Sequence, residues 1–367
     1  MASELYVASR KGLLRFVEEG GVWRLDQSSF VGDPVTAVLL DPRDGALYAA
    51  LNLGHFGVKL HRSDDHGETW HELPAPAYPA VAETSDNGDD KAPSVALIWT
   101  LEAGGADQPG WLWAGTIPGG LFRSTDRGET WSLVDSLWNE PLRQEWFGGG
   151  YDEPGIHTVC VDPRDSKRLT LGVSCGGVWF SGDAGETWQL GGTGLRADYM
   201  PPNQSDDRAV QDAHRLAQCR ATPEVIWCQH HNGIFRSEDG GANFIEIETA
   251  RPSAFGFAVA VDPSDADTAW FVPAVKDEHR VPVDQRLVVT RTRDGGKSFE
   301  VLSEGLPTAP SFDLIYRHAL DIDEAGARLA MGSTTGNLWI GDDGGARWMQ
   351  VSGLLPPINQ VLWTPGR

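Results

Sequence analysis

Three histidines occupy equivalent positions in three similar segments of this chain. His157 begins HTVCVD, His214 begins HRLAQC and His318 begins HALDID. Imidazole nitrogens bind zinc, iron, copper or nickel, and a metal that keeps one coordination position open makes its bound water nucleophilic. We therefore predict that His157, His214 and His318 hold a divalent metal (zinc, iron, manganese or nickel), with His230 or a carboxylate completing the set of ligands.

Four further side chains are candidates for catalysis beside these histidines. The segment CQHHNG supplies His230, which His231 follows directly. The loop NEPLRQEWFGGGYDEPG supplies Glu145, and the loop GLRADYMPPN supplies Arg196 and Tyr199. The chemistry that these groups favour is hydrolysis or elimination, in which they would act as acids, bases or anion-binding groups.

Two other interpretations of the histidines stay open. In one, no metal is bound, and a histidine acts as a general base while arginines bind an anionic ligand. In the other, the histidines only satisfy polar groups and water in a channel. Arg215 and Arg317 adjoin His214 and His318 in the sequence, but strand alternation predicts that they point away from the site.

The elements that would position these side chains are marked by a repeated octapeptide. It occurs as SDDHGETW, STDRGETW and SGDAGETW, and in weaker copies as SEDGGANF, TRDGGKSF and GDDGGARW. Its aspartate can accept hydrogen bonds within a turn and its glycine can adopt a positive φ, so the motif predicts a tight hairpin. The aspartates are therefore predicted to be structural and not catalytic: Asp65, Asp126, Asp183, Asp239, Asp294 and Asp343.

Around each octapeptide the sequence repeats a four-strand plan. Six units are complete, and a seventh is split, because the N-terminal ELYVAS, GLLRFV and GVWRL supply three strands and the C-terminal INQVLWTP resembles a first strand. Closing the ring in this way buries two sheet edges. The sequence predicts an all-β, seven-bladed β-propeller of four-stranded antiparallel blades, forming a single domain over 1–367. The blades are expected at about 4–25 plus 357–365, 34–74, 95–134, 155–191, 213–247, 256–302 and 314–351.

Aligning the predicted first strands places one residue of each blade at the start of the central channel. These residues are Asn359, Thr36, Leu97, His157, His214, Phe257 and His318. The octapeptide turns mark the opposite face of the disc. The long connections are all expected on the face of the channel mouth: 75–94, 135–156, 192–212, 274–285 and 303–313. Long loops on a rigid scaffold often carry function, so a small-molecule site is predicted at this mouth.

The octapeptides resemble the BNR or Asp-box repeats of sialidases, sortilin-type receptors and photosystem assembly factors, and the resemblance spans nearly the whole chain. It implies the propeller fold and a sialidase-like or other glycosyl hydrolase without a metal as an alternative function. Sialidases bind a carboxylate with an arginine triad and use a Tyr–Glu pair and an Asp acid. This chain has no Arg-Ile-Pro motif near its start, and Tyr316 next to Arg317 is the nearest fragment of that pattern. Sialic-acid hydrolysis of that type is therefore not expected.

Composition narrows the possible partners. The formal net charge of −22 repels nucleic acids and anionic membranes, so neither is expected as a partner, whereas a small-molecule ligand is. No basic segment followed by an apolar stretch begins the chain, and the four cysteines lack CxxC spacing, which predicts a cytoplasmic protein with reduced thiols. A non-catalytic scaffold stays possible, with a protein partner on the long-loop face. Its aromatic contacts would be Trp138, Trp146, Phe147 and Tyr151.

Overall fold

The computed structural model describes residues 3–80, 93–308 and 310–364, and it contains seven four-stranded sheets. Neighbouring strands in every sheet are antiparallel, and the first strand of each blade contacts the first strands of both adjacent blades. These contacts close a ring around a central channel and confirm the predicted all-β, seven-bladed propeller. Part of the predicted loop 75–94, residues 81–92, lies outside the described residues.

Blade 1 is built from both termini, and blades 2 to 7 follow in chain order. Blade 1 contains β1 (Glu4–Ser9), β2 (Gly12–Glu19), β3 (Val22–Ser29) and, as its first strand, β28 (Ile358–Thr364). Blades 2 and 3 contain β4 (Val35–Leu40), β5 (Leu47–Asn52), β6 (Val58–Ser63), β7 (His71–Leu73), β8 (Leu97–Ala103), β9 (Leu112–Ile117), β10 (Leu121–Ser124) and β11 (Ser132–Leu133). Blades 4 and 5 contain β12 (Gly155–Val161), β13 (Leu169–Ser174), β14 (Gly177–Ser181), β15 (Gln189–Leu190), β16 (Ala213–Gln218), β17 (Ile226–His230), β18 (Gly233–Ser237) and β19 (Ile245–Glu246). Blades 6 and 7 contain β20 (Gly256–Val261), β21 (Ala269–Pro273), β22 (Val289–Thr292), β23 (Glu300–Leu302), β24 (Leu320–Ile322), β25 (Leu329–Gly332), β26 (Leu338–Asp342) and β27 (Arg347–Ser352).

Helices are short throughout the described residues. They are one α-helix, α1 (Asp135–Trp138), and four 3₁₀ segments at Gly54–Phe56, Pro141–Glu145, Arg208–Val210 and Val283–Gln285. Within the described ranges, no helix has the length and apolar character needed to cross a membrane.

The C-terminal strand closes the ring. β1 lies between β28 and β2, with Glu4 opposite Thr364 and Ala8 opposite Gln360 in the antiparallel register with β28. The amide of Val361 also donates to the carbonyl of His318 at 3.0 Å, which ties β28 to blade 7. The edge of β1 is therefore covered by β28, as the split seventh unit predicted.

Five of the six octapeptide turns share one hydrogen-bond network. In the first, Asp65 Oδ1 accepts from the Ser63 hydroxyl at 2.7 Å and from the Thr69 amide at 2.9 Å, and the Thr69 hydroxyl donates to Oδ2 at 2.6 Å. The same three contacts recur around Asp126, Asp183, Asp239 and Asp294. Because every one of these bonds favours the charged carboxylate, they lower the pKa of Asp183 to about 2.

The sixth turn corrects the prediction for Asp343. Gly341 replaces the serine whose hydroxyl bonds the aspartate in the other turns, so that contact has no donor. Asp343 adopts a positive φ of 53°, and its carboxylate forms an exposed ion pair with Arg347 at 2.8 Å. The hairpin is kept, but Asp343 does not form the network that the other five aspartates form.

A β-bulge interrupts the first strand in six blades and shapes the channel mouth. In blade 2 the pairing register shifts between Val35 and Ala37, which leaves Thr36 unpaired. The corresponding shifts fall at Asn359, Trp99, His157, His214 and the pair Phe257–Ala258. A bulge bends its strand and re-aims the side chain that it carries, so these residues are turned relative to a regular strand.

Deeper in the channel, two carboxyl groups lie three residues beyond the mouth positions of their strands. These are Glu102 on β8 and Asp321 on β24, and both charges act on Arg215 of β16. Burial raises the pKa of Glu102 to about 7 and that of Asp321 to about 6. The channel therefore holds carboxyl groups that change charge close to neutral pH.

We expect Asp239→Ala to lower the free energy of unfolding by about 1 kcal/mol, because it removes three hydrogen bonds within one turn. Asp343→Ala is the matched control, since it removes an aspartate from the same motif but none of those bonds. Urea unfolding followed by tryptophan fluorescence measures both variants. Equal losses in the two variants would contradict the structural role of the network.

We expect Glu102→Gln to stabilise the protein more at pH 8 than at pH 5. A carboxyl group whose folded pKa is raised favours the folded state below its ordinary value of 4.5, and this contribution is lost as the pH rises through about 7. Glutamine does not ionise and has no such loss. The free energy of unfolding of the variant at pH 8 can therefore exceed that of the unsubstituted protein by about 3 kcal/mol. Thermal unfolding across pH, with exposed Glu304→Gln as control, tests this expectation. A gain that does not vary with pH would refute it.

Candidate functional site

A cavity of about 460 Å³ occupies the channel mouth on the long-loop face. Three groups of residues line it: the starts of first strands, the turns between second and third strands, and the loops between blades. The turns contribute Arg10, Cys175, His231, Asp277 and Arg280. A site at this place needs loops from most of the ring, so it exists only in the closed propeller.

The predicted mouth residues all line the cavity except His157, but the structure corrects the alignment of Leu97. In blade 4 the Asp162 amide donates to the Arg168 carbonyl at the end of the first strand. The equivalent bond in blade 3 joins the Gly104 amide to the Trp111 carbonyl, so Gly104 aligns with Asp162. The aligned mouth position in blade 3 is therefore Trp99 and not Leu97. Counting back five residues from Gly104 gives Trp99, which also carries the bulge. Six of the seven corrected mouth positions line the cavity: Asn359, Thr36, Trp99, His214, Phe257 and His318.

His157 and His318 do not join His214 in one group of ligating atoms. His157 is fully buried, and its Nδ1 lies 2.9 Å from the Thr158 hydroxyl. His318 uses its Nε2 to bond the carbonyl of His157 at 2.8 Å, so that nitrogen is occupied. Burial lowers the pKa of both imidazoles well below the ordinary value, which keeps them neutral.

A different group of possible ligands forms around His214. Its Nε2 lies 3.3 Å from Asp212 Oδ2, and His231 Nδ1 lies 3.5 Å from the same oxygen. Asp212 directly precedes β16 and His231 directly follows β17, and the His231 amide donates to the Asp212 carbonyl, which fixes the two across the strand pair. Asp212, His214 and His231 are the one such cluster of potential metal ligands within the described residues.

Asp212 is held as a carboxylate despite its burial. Only 5% of the residue is exposed, and burial alone would raise its pKa. The neighbouring His214 and His231 side chains and the Arg317 guanidinium outweigh burial and hold the pKa of this carboxyl group well below the ordinary value. Oδ1 accepts from the Ser174 hydroxyl at 3.1 Å and from the Cys175 amide at 3.3 Å, which leaves Oδ2 for the histidines.

Arg317 places a buried positive charge in the wall of the cavity. The residue is 8% exposed, its Nε has no hydrogen-bond partner, and it forms no ion pair with any carboxylate of the described residues. Its guanidinium lies 4.8 Å from the ring centre of Trp99 and 5.6 Å from that of Phe257. The prediction that Arg317 points away is wrong, because the chain before β24 is irregular and does not alternate like a strand.

The cavity is positively charged in a negatively charged protein. Three arginines and two aspartates line it, which gives +3 − 2 = +1 with neutral histidines, against −22 for the whole chain. Arg280 is ion-paired with Asp277 at 2.7 Å and lies near the Tyr316 hydroxyl at 3.4 Å. The arginine side chains of the lining thus favour an anionic ligand.

The loop between blades 3 and 4 packs tightly against Asp212. A Cβ atom on Gly149 would lie 2.6 Å from Cys175 Sγ and 3.8 Å from Asp212 Oδ2, so only glycine fits there. Burial raises the pKa of the Cys175 thiol, which keeps it protonated and a poor nucleophile at neutral pH. Cys175 therefore contributes its backbone amide to the site and not a reactive thiolate.

The four predicted catalytic residues are divided by the structure. Tyr199 lines the cavity, donates to the Val210 carbonyl at 2.7 Å and packs against the His231 ring. His230 is fully buried outside the lining, and burial lowers its pKa to about 3. Glu145 and Arg196 are exposed and are also absent from the lining.

The aromatic residues predicted to dock a protein partner do not form one exposed patch. Trp146 is buried, and Trp138 is covered by the Arg143 guanidinium, which lies 3.5 Å from its ring centre. Phe147 and Tyr151 line the cavity instead. Aromatic side chains of this loop therefore serve the cavity wall.

The residues predicted from the sequence include His230 where the structure has His231, and they lack Asp212. Two features of the sequence could have indicated Asp212 and His231. Asp212 and His214 are two residues apart at the start of a first strand, and His231 lies in the two-residue turn His231–Asn232. Deciding which histidine faces the channel needed the strand register, in which Ala213 lies opposite His230. No local pattern marked Arg317.

Comparisons with known proteins find relatives among xyloglucanases. No family model matches the chain. It is 24% identical over 342 residues to the probable oligoxyloglucan-reducing end-specific xyloglucanase of Neosartorya fischeri, covering 85% of this chain and 38% of that protein. It is 28% identical over 327 residues to the oligoxyloglucan-reducing end-specific xyloglucanase of Emericella nidulans, covering 88% and 34%. The chain therefore spans only about a third of the length of these relatives.

Solved structures show the same propeller fold at low sequence identity. The GH74 xyloglucanase from Xanthomonas campestris matches with a TM-score of 0.64 and 17% identity, over 95% of this chain and 52% of that one. A functionally unknown protein from Desulfotomaculum acetoxidans matches with 0.59 and 9% over 98% of both chains. YCF48 from Cyanidioschyzon merolae matches with 0.54 and 14% over 88% and 86%. These similarities support the fold.

We expect Arg317→Met to raise the free energy of unfolding of the ligand-free protein by about 1 kcal/mol or more. A buried charge without a partner destabilises the folded state, and a methionine of similar length packs against the same aromatic rings. Urea unfolding measures the change, with exposed Arg196→Met as the matched control. A loss of stability in Arg317→Met would show that the guanidinium has a structural partner.

Proposed function

We propose that the cavity is the active site of a hydrolase that acts on a small, negatively charged saccharide. The observation that carries this proposal is Arg317, a buried guanidinium without an ion-pair partner among the described residues, in the wall of a cavity. Three features of the cavity support this function: the charge of the lining, its aromatic walls and the Asp212 cluster.

Arg317 supports an anionic substrate. A guanidinium removed from water and left unpaired costs several kcal/mol, and a bound carboxylate would recover much of it through two parallel hydrogen bonds. Because Trp99 and Phe257 hold the guanidinium from its sides, the cavity is prepared for the anion before it binds. Arg10 and Arg280 add positive charge to the same lining.

The walls and volume of the cavity support a saccharide of one or two rings. The apolar faces of a sugar can pack on the aromatic residues of the lining, and the hydroxyl groups of Tyr151 and Tyr316 can bond its polar edges. A volume of about 460 Å³ lies near the lower end of the range for small-molecule sites. The substrate is thus a small sugar acid or its glycoside, not a segment in the middle of a polymer.

The Asp212 cluster supports hydrolysis. A carboxylate kept ionised beside two imidazoles can orient a water molecule and take part in removing its proton. The usual glycosidase scheme needs a second carboxyl group as the acid, and Asp277, the other aspartate of the lining, is engaged by Arg280. The relatives that are named xyloglucanases favour a glycosidic bond as the one cleaved, although the water-activating groups differ from a pair of carboxylates.

Paired sugars test the proposal directly. We expect glucuronate or galacturonate to bind at least about tenfold more tightly than glucose or galactose in calorimetric titrations, which corresponds to about 1.4 kcal/mol. Arg317→Met should abolish this preference, because it removes the group that distinguishes the carboxylate. The 4-nitrophenyl glycosides of the same sugars report turnover by release of nitrophenolate.

Arg196→Met is the control for this experiment. Arg196 is exposed, is paired with Asp198 and Glu246, and lies outside the lining, so its loss should leave binding unchanged. Equal binding of acidic and neutral sugars, or a preference that survives in Arg317→Met, would contradict the proposal. So would the absence of binding and turnover with every acidic sugar of the panel.

A further inference from the structure

We propose that Asp212, His214 and His231 bind a divalent transition-metal cation in the wall of the cavity. Its role in catalysis rests on the proposed hydrolysis, but metal binding itself is measurable without any substrate. The site shares only His214 with the three-histidine site predicted from the sequence. It follows from the hydrogen bonds around His214, from the distances within the cluster and from the side on which the cluster is open.

The hydrogen bonding of His214 favours a cation beside its Nε2. Nδ1 lies 2.7 Å from the Gly256 carbonyl oxygen, which can only accept, so Nδ1 carries the hydrogen. In the neutral ring Nε2 then carries a lone pair, and this lone pair faces Asp212 Oδ2 at 3.3 Å. Two acceptors at that distance in a buried place repel each other unless a positive ion lies between them.

Two of the three distances within the cluster match those of a metal centre. Ligands that bind a tetrahedral zinc ion at about 2.0–2.1 Å lie about 3.3–3.4 Å from each other. The two measured separations from Asp212 Oδ2 are 3.3 Å to His214 and 3.5 Å to His231, and all three ligating atoms lie within 4.8 Å of one another. Two imidazoles and one carboxylate form a donor set that suits zinc or iron.

The surrounding hydrogen bonds orient the ligating atoms. The Ser174 hydroxyl and the Cys175 amide occupy Asp212 Oδ1, and the Gly256 carbonyl occupies His214 Nδ1. The remaining atoms, Oδ2 and Nε2, are directed toward each other and toward His231. Such outer hydrogen bonds fix the ring orientation and tautomer of metal ligands in proteins.

The cluster is closed on the protein side and open toward the cavity. Asp212 and His214 are 5% and 2% exposed, whereas the His231 side chain is 23% exposed. Three protein ligands with an open side are typical of a catalytic metal, whereas a structural zinc site has four. A water in the open position would have a lowered pKa and would face the substrate bound by Arg317.

A proton between His214 and Asp212 is the competing explanation. It would make His214 an imidazolium, although the residue is only 2% exposed and a buried charge is costly. A metal ion would bind the same two atoms, His214 Nε2 and Asp212 Oδ2, and would also bind His231. The metal explanation predicts one equivalent of bound metal, whereas the proton explanation predicts none, so the metal content distinguishes them.

Calorimetric titration of the chelator-treated protein with Zn²⁺ tests the site, with Fe²⁺, Mn²⁺ and Ni²⁺ as further probes and elemental analysis of the stoichiometry. We expect one equivalent of Zn²⁺ to bind and to raise the melting temperature. Co²⁺ in place of Zn²⁺ should give the d–d absorption of a site with imidazole ligands.

Asp212→Asn and His231→Gln should each weaken Zn²⁺ binding at least about tenfold. His231→Gln is the more informative variant, because the side chain is partly exposed and its loss disturbs the core least. His55→Gln, an exposed histidine outside the cluster, is the matched control. Failure of all four metals to bind, or unchanged binding in both variants, would overturn the metal site.

Arg317→Met separates this inference from the proposed substrate. It should keep full Zn²⁺ binding while losing the preference for acidic sugars. Zinc binding with no acidic sugar bound would support the metal site and refute the substrate class. A preference for acidic sugars in a protein that binds no metal would refute the metal site alone.

Discussion

The pairing of the two ends of the chain is the constraint on which the rest of the structure depends. β28 is the first strand of blade 1 and pairs with β1, and without it the channel would lack one of its seven walls. Its Gln360 bonds the backbone of Val38 in blade 2, and its Val361 amide bonds the His318 carbonyl of blade 7. The closing strand therefore fixes the distance between blades on either side of the mouth, and every residue of the cavity depends on that distance.

A conflict between stability and binding runs through the cavity. Arg317 is buried without an ion-pair partner among the described residues, and the buried side chains of Asp212 and His214 lie 3.3 Å apart. Each of these features lowers the stability of the empty protein, and the regular blades with their hydrogen-bonded turns supply the stability that tolerates them. Features that work against folding and converge on one cavity are typical of a site that binds a ligand.

The charge of the whole chain and the charge of the cavity have different consequences. The whole chain carries a net charge of −22, while three arginines make the channel mouth positive. A small anion can enter such a mouth because the channel walls shield it from the outer surface. The cavity at the channel mouth would then select its ligand both by size and by charge.

The sequence by itself determined the blades, the turns and the closing strand. These features are local and periodic: the octapeptide carries its own hydrogen-bond donors and acceptors, and the alternation of each strand gives its buried face. It also placed His214 and Tyr199 at the mouth. Only the tertiary structure decided that Trp99 replaces Leu97 and that Arg317 faces the cavity, because bulges and an irregular segment break the alternation. The Asp212 cluster likewise depends on the register of β16 against β17, which sets His231 and not His230 beside the carboxylate, and register is a property of paired strands that no single segment contains.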